Sequence, residues 1–360
     1  LKVSYLTAGI RCFPFLRLLG RNKISFRPAT LLRIFFILQS SFWSSLFAFI
    51  EKIRFTTKIN NTKLCGDPVF IVGHWRTGST FLHQLLSLDP QFTAPTLFQV
   101  AIPDSFLTSE KYYRPLFKHL VSKSRPMDQV KLGMDEPQED EYAIYRLTDY
   151  SPIEGVVFPK SKDYFLLHAD RYFPPAREQE KWNSQLLNFY KKITLKTNRQ
   201  IVSKNPFHSY RIDSLAAQFP ESRFIHICRH PDAVIPSTIH MWNIVQKQNC
   251  LNDNDFSPTA KAAAAVMESL ENKVEDQLSR LSPGRIARVR FEDLEAEPEI
   301  VLEKIYHRFS WTVSAELRAR LKTLYKELQN YQKNRFSLTE SQKQEIRDEL
   351  KNYMKNNRYA

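Results

Sequence analysis

Residues 69–80 read VFIVGHWRTGST: four consecutive apolar residues, three of them β-branched, run into a turn bounded by Gly73 and Gly78. A short, continuously apolar run of this kind is what a strand buried on both faces requires. The residues that follow, STFLHQLLSL over Ser79–Leu88, set Phe81, Leu82, Leu85 and Leu86 at helical spacing before Asp89-Pro90 ends the helix. A strand, a glycine-bearing turn and a helix in that order aim backbone N–H groups and the positive helix end at one spot, a cradle suited to an anion.

Working outward, the same alternation continues. Gln200-Ile201-Val202-Ser203 reads as a second strand leading into Lys204-Asn205-Pro206, and a short helix is expected near Ser209–Gln218. Arg223–Cys228 reads as a third strand, Asp232–Lys247 as a helix with Pro231 in its first turn, 259–281 as a helix, and Arg285–Phe291 as a further strand. Helices near 298–309, 314–330 and 339–355 close the chain. Strands alternating with helices pair in parallel through right-handed crossovers. The expected fold class is therefore α/β: a P-loop-type three-layer sandwich around a central parallel sheet, with C-terminal helices. Residues 1–66 form a helical N-terminal preface, and 67–360 form the domain that carries the motifs. Within it, 93–180 is rich in Pro, Tyr and charge and suits long loops and short helices covering a site.

Gly73 and Gly78 have the spacing of a Walker A loop, but Ser79 stands where that motif requires Lys. The cradle survives the change, because backbone amides still converge and Ser79 and Thr80 add hydroxyls. The missing cation is supplied within the loop by Arg76. The machinery for splitting a nucleoside triphosphate does not survive, and no apolar strand ending in a metal-binding Asp stands out. A glycine pair alone can be an empty turn, whereas Arg, two Gly, Ser and Thr in one turn point to an anion site.

With these residues in view, the chain resembles the sulfotransferase superfamily, and PVFIVGHWRTGSTFLHQLLSLDPQFTAP over 68–95 is especially similar to its bacterial-type group. The resemblance implies 3'-phosphoadenosine-5'-phosphosulfate (PAPS) as co-substrate, with no metal. It makes Arg76, Thr77, Gly78, Ser79 and Thr80 the 5'-phosphosulfate loop, and Phe81 the aromatic that stacks on adenine. A second motif agrees: a strand ending in Arg229, then Ser237 eight residues on, matches the family's 3'-phosphate site. Arg229 is able to pair bidentately with a phosphate; Ser237, two turns into its helix, reaches the same group only if the helix runs alongside. Phe291-Glu292-Asp293-Leu294 also matches the group. Lys333 and Arg335, in YQKNRF over 331–336, correspond to the basic segment that closes over the nucleotide in relatives, without its Arg-Lys-Gly form.

Sulfuryl transfer needs a base for the acceptor, an in-line grip on the moving group and stabilisation of the leaving phosphate. Arg76 serves the last two, and Lys204 stands where the superfamily keeps a lysine near the leaving group. Cytosolic relatives place the base two residues after that lysine, where this chain has Pro206. His208, four residues after it, is one substitute; Glu139 and Glu141, in the acidic run Glu139-Asp140-Glu141, are the other. Such a run is also what a solvated helix start looks like. Two readings stand beside the sulfotransferase: a P-loop kinase or nucleotide hydrolase, and a catalytically inactive nucleotide-binding fold.

Composition narrows the partners. Lys and Arg outnumber Asp and Glu by 52 to 38, a net +14, which fits polyanionic small molecules, an anionic membrane surface or nucleic acid. The excess is scattered instead of forming one block, which argues against nucleic acid. Cys12, Cys65, Cys228 and Cys250 lack metal or redox spacing. Residues 31–50, LLRIFFILQSSFWSSLFAFI, are the most apolar window, but Arg33, Gln39 and four serines dilute it below a clean span. The stretch is expected to pack on the domain or lie on a membrane surface, so cytoplasmic and membrane-associated placements both fit. The aromatics of 93–180 (Phe98, Phe106, Tyr112, Tyr113, Tyr142 and Tyr145) suit a small-molecule, glycan or lipid acceptor offering a hydroxyl or an amine.

Overall fold

The computed structural model describes residues 6–120, 133–159, 164–252, 257–328 and 336–359. The chain divides into two compact units, one of 1–64, 95–198 and 240–258, the other of 65–94, 199–239 and 259–360.

The second unit holds a five-stranded parallel sheet. Its strands are β1 (Val69–Val72), β2 (Phe92–Thr93), β3 (Gln200–Lys204), β4 (Arg223–Cys228) and β5 (Ile286–Arg290), in the order β2-β3-β1-β4-β5. β1 is central. It pairs with β3 through Ile71 opposite Lys204, and with β4 through Val72 opposite His226. Strand alternation sorts its side chains. Val69, Ile71, Val202, Ile225, Ile227 and Val289 join one buried cluster with the helices Ser79–Ser87 and Pro298–Arg308. Phe70 and Phe224 stack on the opposite face, centroids 5.4 Å apart, where Phe219 also packs. A further cluster joins Val234 and Ile235 to the helices Ala260–Ser279 and Glu340–Glu349. The three-layer α/β sandwich is thus the observed fold.

Most expected elements are present, with local differences. The short β2 was not foreseen, since two residues carry no periodicity. Pro206–Tyr210 forms a 3-10 turn, and the helix after it is confined to Ile212–Gln218, because Asn205 caps the turn through its side chain. The last helix breaks at Leu350 into Glu340–Glu349 and Lys351–Asn356.

The first unit is helical. It contains α1 (Cys12–Arg21), α2 (Pro28–Asn61) and the helices Leu97–Ala101, Phe106–Leu120, Glu141–Thr148, Ile153–Val157 and Ala176–Thr197. α2 continues well past residue 50 to Asn61. Buried polar links hold it in place: Glu51 ion-pairs with Lys192 and accepts the Thr108 N–H at 2.9 Å, and the Ser45 hydroxyl accepts the Cys12 N–H at 2.9 Å. The covering region therefore holds more helix than its composition suggests, stapled by charges that no local pattern reveals.

Gly73 ends β1 with φ 136°, and a Cβ placed there would lie 2.3 Å from the Ile227 carbonyl oxygen. Backbone cannot yield as a side chain can, so Gly73→Ala combines a disfavoured φ with a clash. It is expected to cost about 3 kcal/mol in chemical denaturation. Gly284→Ala, where a Cβ meets nothing within 4 Å, should stay within about 0.5 kcal/mol of wild type.

Candidate active site

The carboxyl ends of β1, β3 and β4 lie side by side, and the connections from β1 to β2 and from β4 to β5 diverge in opposite directions, the place where open α/β sheets bind ligands. From β1 the chain enters the loop through Gly73, whose N–H donates to the Ser209 hydroxyl at 2.9 Å; that hydroxyl in turn donates to the Gly73 carbonyl at 3.2 Å. Ser209 is a clamp that sequence reading missed, being 136 residues away. Thr77 is buried and its hydroxyl donates to the His74 carbonyl at 2.8 Å, closing the turn. Trp75 packs edge-on to Phe207. Arg76 takes a left-handed φ of 67° and Gly78 one of 89°, a bend that delivers the chain into the helix starting at Ser79. The first intrahelical acceptor is Gly78, bonded by Phe81 and Leu82 N–H. The Ser79 and Thr80 amides thus stand at the open, positive end of that helix.

The two phosphate motifs meet. Arg76 Nε donates to Ser237 Oγ at 2.8 Å, and Arg229 Nη1 donates to the Arg76 carbonyl at 3.2 Å. Ser237, half-way down Pro231–Asn249, does come alongside the loop, as the motif requires. Lys204 ends β3, largely buried, opposite Ile71, two residues before the loop begins at Gly73. Phe81 packs on the strand cluster behind the loop helix.

Phe291 gives the FEDL motif its physical meaning. The Arg229 guanidinium lies over the Phe291 ring, 4.2 Å from its centroid, a cation–π contact that fixes the arginine's plane. The same ring lies against Gly78, where a Cβ would sit 2.0 Å from Phe291 Cδ2. Glu292 accepts the His230 N–H at 2.8 Å through one oxygen and the Tyr359 hydroxyl at 2.8 Å through the other. Tyr353 brackets Arg229: its hydroxyl accepts the Arg229 N–H at 3.0 Å and donates to the Arg229 carbonyl at 2.8 Å. The C-terminal residues 353–359 therefore hold the strand end that carries the arginine. Their signal in the sequence is only two tyrosines in a basic helix. Lys333 and Arg335 lie outside the described residues.

The base candidates are placed as follows. His208 is fully buried with its ring edge-on to Phe70, 5.3 Å between centroids, beneath the sheet. Glu139 and Glu141 belong to the first unit. Glu141 opens the helix Glu141–Thr148 and is fully buried, as is Asp140, which accepts the Tyr190 hydroxyl. The acidic run is thus not a solvated helix start. His83 is packing: its Nε2 meets the Val202 carbonyl at 3.1 Å. All four cysteines are free, and burial pushes the Cys228 thiol up to about 12. Among the described residues, no three His, Cys, Asp or Glu side chains are grouped to hold a metal ion.

A glycine-bracketed loop on a parallel sheet, with two arginines and a serine converging on a helix N-terminus, defines an α/β protein built to grip a multiply charged anion. The sequence profile of the sulfotransferase family matches residues 68–315. The chain is 31% identical over 341 residues to omega-hydroxy-beta-dihydromenaquinone-9 sulfotransferase Stf3 of Mycobacterium bovis (strain ATCC BAA-935 / AF2122/97), covering 94% of this chain and 87% of that one. The protein belongs to the sulfotransferase family. Its fold matches sulfotransferase STF9 from Mycobacterium avium with a TM-score of 0.65 at 16% identity, covering 94% and 88% of the two chains. It also matches STF1 from Mycobacterium tuberculosis H37Rv, with a TM-score of 0.58 at 15% identity, covering 92% and 87%.

His74, inside the loop, is fully buried; its Nδ1–H donates to the Trp75 carbonyl at 2.9 Å, and Nε2 has no hydrogen-bond partner among the described residues. Burial lowers its pKa from 6.5 to about 4. The unfolded chain therefore binds a proton that the folded chain refuses between those values, so stability falls as pH drops through 6.5 and levels off below about 4. Replacing His74 by Asn, whose amide still reaches the Trp75 carbonyl, removes this term. Urea titrations across the window should show the wild type losing about 3 kcal/mol more than His74→Asn. Parallel pH profiles would show that His74 is not the group responsible.

Proposed function

We propose that the protein transfers a sulfuryl group from PAPS to a hydroxyl of a lipid acceptor. The observation that carries the donor half is the convergence of Arg76, Arg229 and Ser237 at the carboxyl edge of the parallel sheet, in a loop that lacks the triphosphate-binding lysine. The donor set fits the group: guanidiniums, a serine hydroxyl and helix-terminal amides are hard anion ligands, and Gly73 and Gly78 let the loop backbone pack close against Ile227 and Phe291. PAPS supplies an activated sulfuryl group and a phosphate leaving group, with a second phosphate on its ribose.

The protein's own residues have distinct tasks. Arg229, held flat by Phe291 and pinned by Tyr353, takes the 3'-phosphate with Ser237. Arg76 and the Ser79 and Thr80 amides take the 5' side, and Lys204 neutralises charge that develops on the departing phosphate oxygen. Transfer forms a bond from the acceptor oxygen to sulfur and breaks the bond from sulfur to the bridging oxygen. The acceptor's proton goes to a general base, which we assign to Glu139 or Glu141. Burial of Glu141 at the start of its helix supports this choice, because it removes the reading of the acidic run as a solvated helix start. The acceptor class is supported by the 31% identical relative, whose name gives a hydroxylated menaquinone as its substrate.

Calorimetry of the desulfated product, 3'-phosphoadenosine-5'-phosphate, tests the donor half. Wild type should bind it, and Arg76→Ala and Arg229→Ala should each weaken binding at least about tenfold. Tyr353→Phe should weaken it about fivefold through loss of the clamp on Arg229. Preference for magnesium ATP, or affinity indifferent to both arginines, would rule out the donor assignment. With donor binding intact, Glu139→Gln and Glu141→Gln separate the base: one should lower kcat on a hydroxylated menaquinone by about 10²–10⁴ without changing donor affinity. If neither does, the base lies elsewhere.

A further inference from the structure

α2 is inside out for a helix in water. Its protein-facing side carries Thr30, Ile34, Ile37, Ser41, Ser44 and Glu51, all buried. Its outward side carries Phe35, Phe42, Trp43, Leu46, Phe49 and Ile53, each 41–69% exposed. The positions 35, 42, 46, 49 and 53 share one helical face, broken only by the exposed Gln39 between Phe35 and Phe42, and from Leu31 to Ile53 this mostly apolar stripe is about 33 Å long. Phe13 and Leu16 on α1, and Phe26 in the turn between the helices, are exposed too. An exposed face with this many large apolar side chains is not left to water.

Charge says what covers it. Residues 11–63 hold ten Lys and Arg and a single acid, Glu51, which is buried and ion-paired with Lys192. Lys23 and Arg27 stand exposed at one end of the stripe, and Lys52, Arg54 and Lys58 at the other. A long apolar stripe of Phe, Trp and Leu with cations at both ends and no exposed acid is the chemistry of a helix lying in an anionic lipid interface.

By length and composition α2 is also able to cross a bilayer. Spanning, however, would strip away the ties along its inner face: the Glu51 pair with Lys192, the Thr108 N–H on Glu51, and the Ser45 hydroxyl on Cys12. A polar inner face packed on protein and an apolar outer face fit a helix lying in the membrane plane.

We infer that α1 and α2 form an in-plane anchor that seats the first unit on an anionic lipid surface, with the outer face of α2 in the acyl boundary. This stands independently of the donor and acceptor assignments.

Co-sedimentation of the full chain with phosphatidylcholine vesicles, with and without a minor share of phosphatidylglycerol, tests it. The protein should pellet best with the anionic vesicles, and less as salt is raised. The double variant Phe42→Glu/Phe49→Glu should bind at least about a hundredfold more weakly. Lys52→Ala and Arg54→Ala should each cost about fivefold, on anionic vesicles only. All these side chains are exposed, so circular dichroism and 3'-phosphoadenosine-5'-phosphate titration should match wild type and serve as folding controls. Three results would overturn the inference: no pelleting with either vesicle, equal pelleting of the Phe double variant, or indifference to phosphatidylglycerol. Self-association that the double variant abolishes, without vesicle binding, would assign the face to a second copy of the chain instead.

Discussion

The carboxyl end of the sheet depends on two places where a Cβ would collide with protein atoms. At Gly73 the loop presses its backbone onto the end of β4, and at Gly78 onto the ring of Phe291. These approaches bring the loop carrying Arg76 close enough to the β4 end for Arg229 to reach the Arg76 carbonyl and for Arg76 to reach Ser237. Phe291 is the shared element: one ring sets both the floor under Gly78 and the plane of the Arg229 guanidinium. A bulkier residue at Gly78 would therefore disturb both the loop that carries Arg76 and the ring that orients Arg229.

Bringing two guanidiniums and a helix N-terminus into one place has an electrostatic cost in the absence of a counter-ion. Geometry helps to meet it. Arg76 donates to a serine, Arg229 donates to a carbonyl and lies on an aromatic face, and the nearby Glu292 is engaged by the His230 amide and the Tyr359 hydroxyl. Neutral acceptors and a π face orient the two cations toward the loop.

What was legible in the sequence follows from how local each signal is. β1, the loop and the start of its helix are written in twelve consecutive residues, and the Arg229–Ser237 pair in nine, so strand, turn and second motif could all be read directly. Ser209 on Gly73, Phe291 under Gly78 and Tyr353 on Arg229 span 124 to 213 residues and leave no periodic trace. The FEDL stretch was recognisable as a pattern, but its reason, a ring shared by a glycine and an arginine, exists only in three dimensions. The acidic run at 139–141 was ambiguous for the same cause: whether a helix start is wet or buried depends on what packs over it, and here Tyr190 covers Asp140.

The apolar window at 31–50 shows the opposite limit. Averaged along the chain, Arg33, Gln39 and the serines make it look like a diluted span, and the average discards the angular information that matters. Ser41 and Ser44 face the protein, where Ser41 donates to the Ile37 carbonyl of its own helix. Phe42, Trp43, Leu46 and Phe49 face outward. Two of the serines that lower the apparent hydropathy are thus withdrawn from the surface, while Gln39 stays exposed among the outward aromatics. In a water-facing helix the packing free energy sorts residues the other way. That this sorting is reversed over some six turns, within a stretch whose lone acid is sequestered by Lys192, is a property of the side-chain distribution and not of its sum.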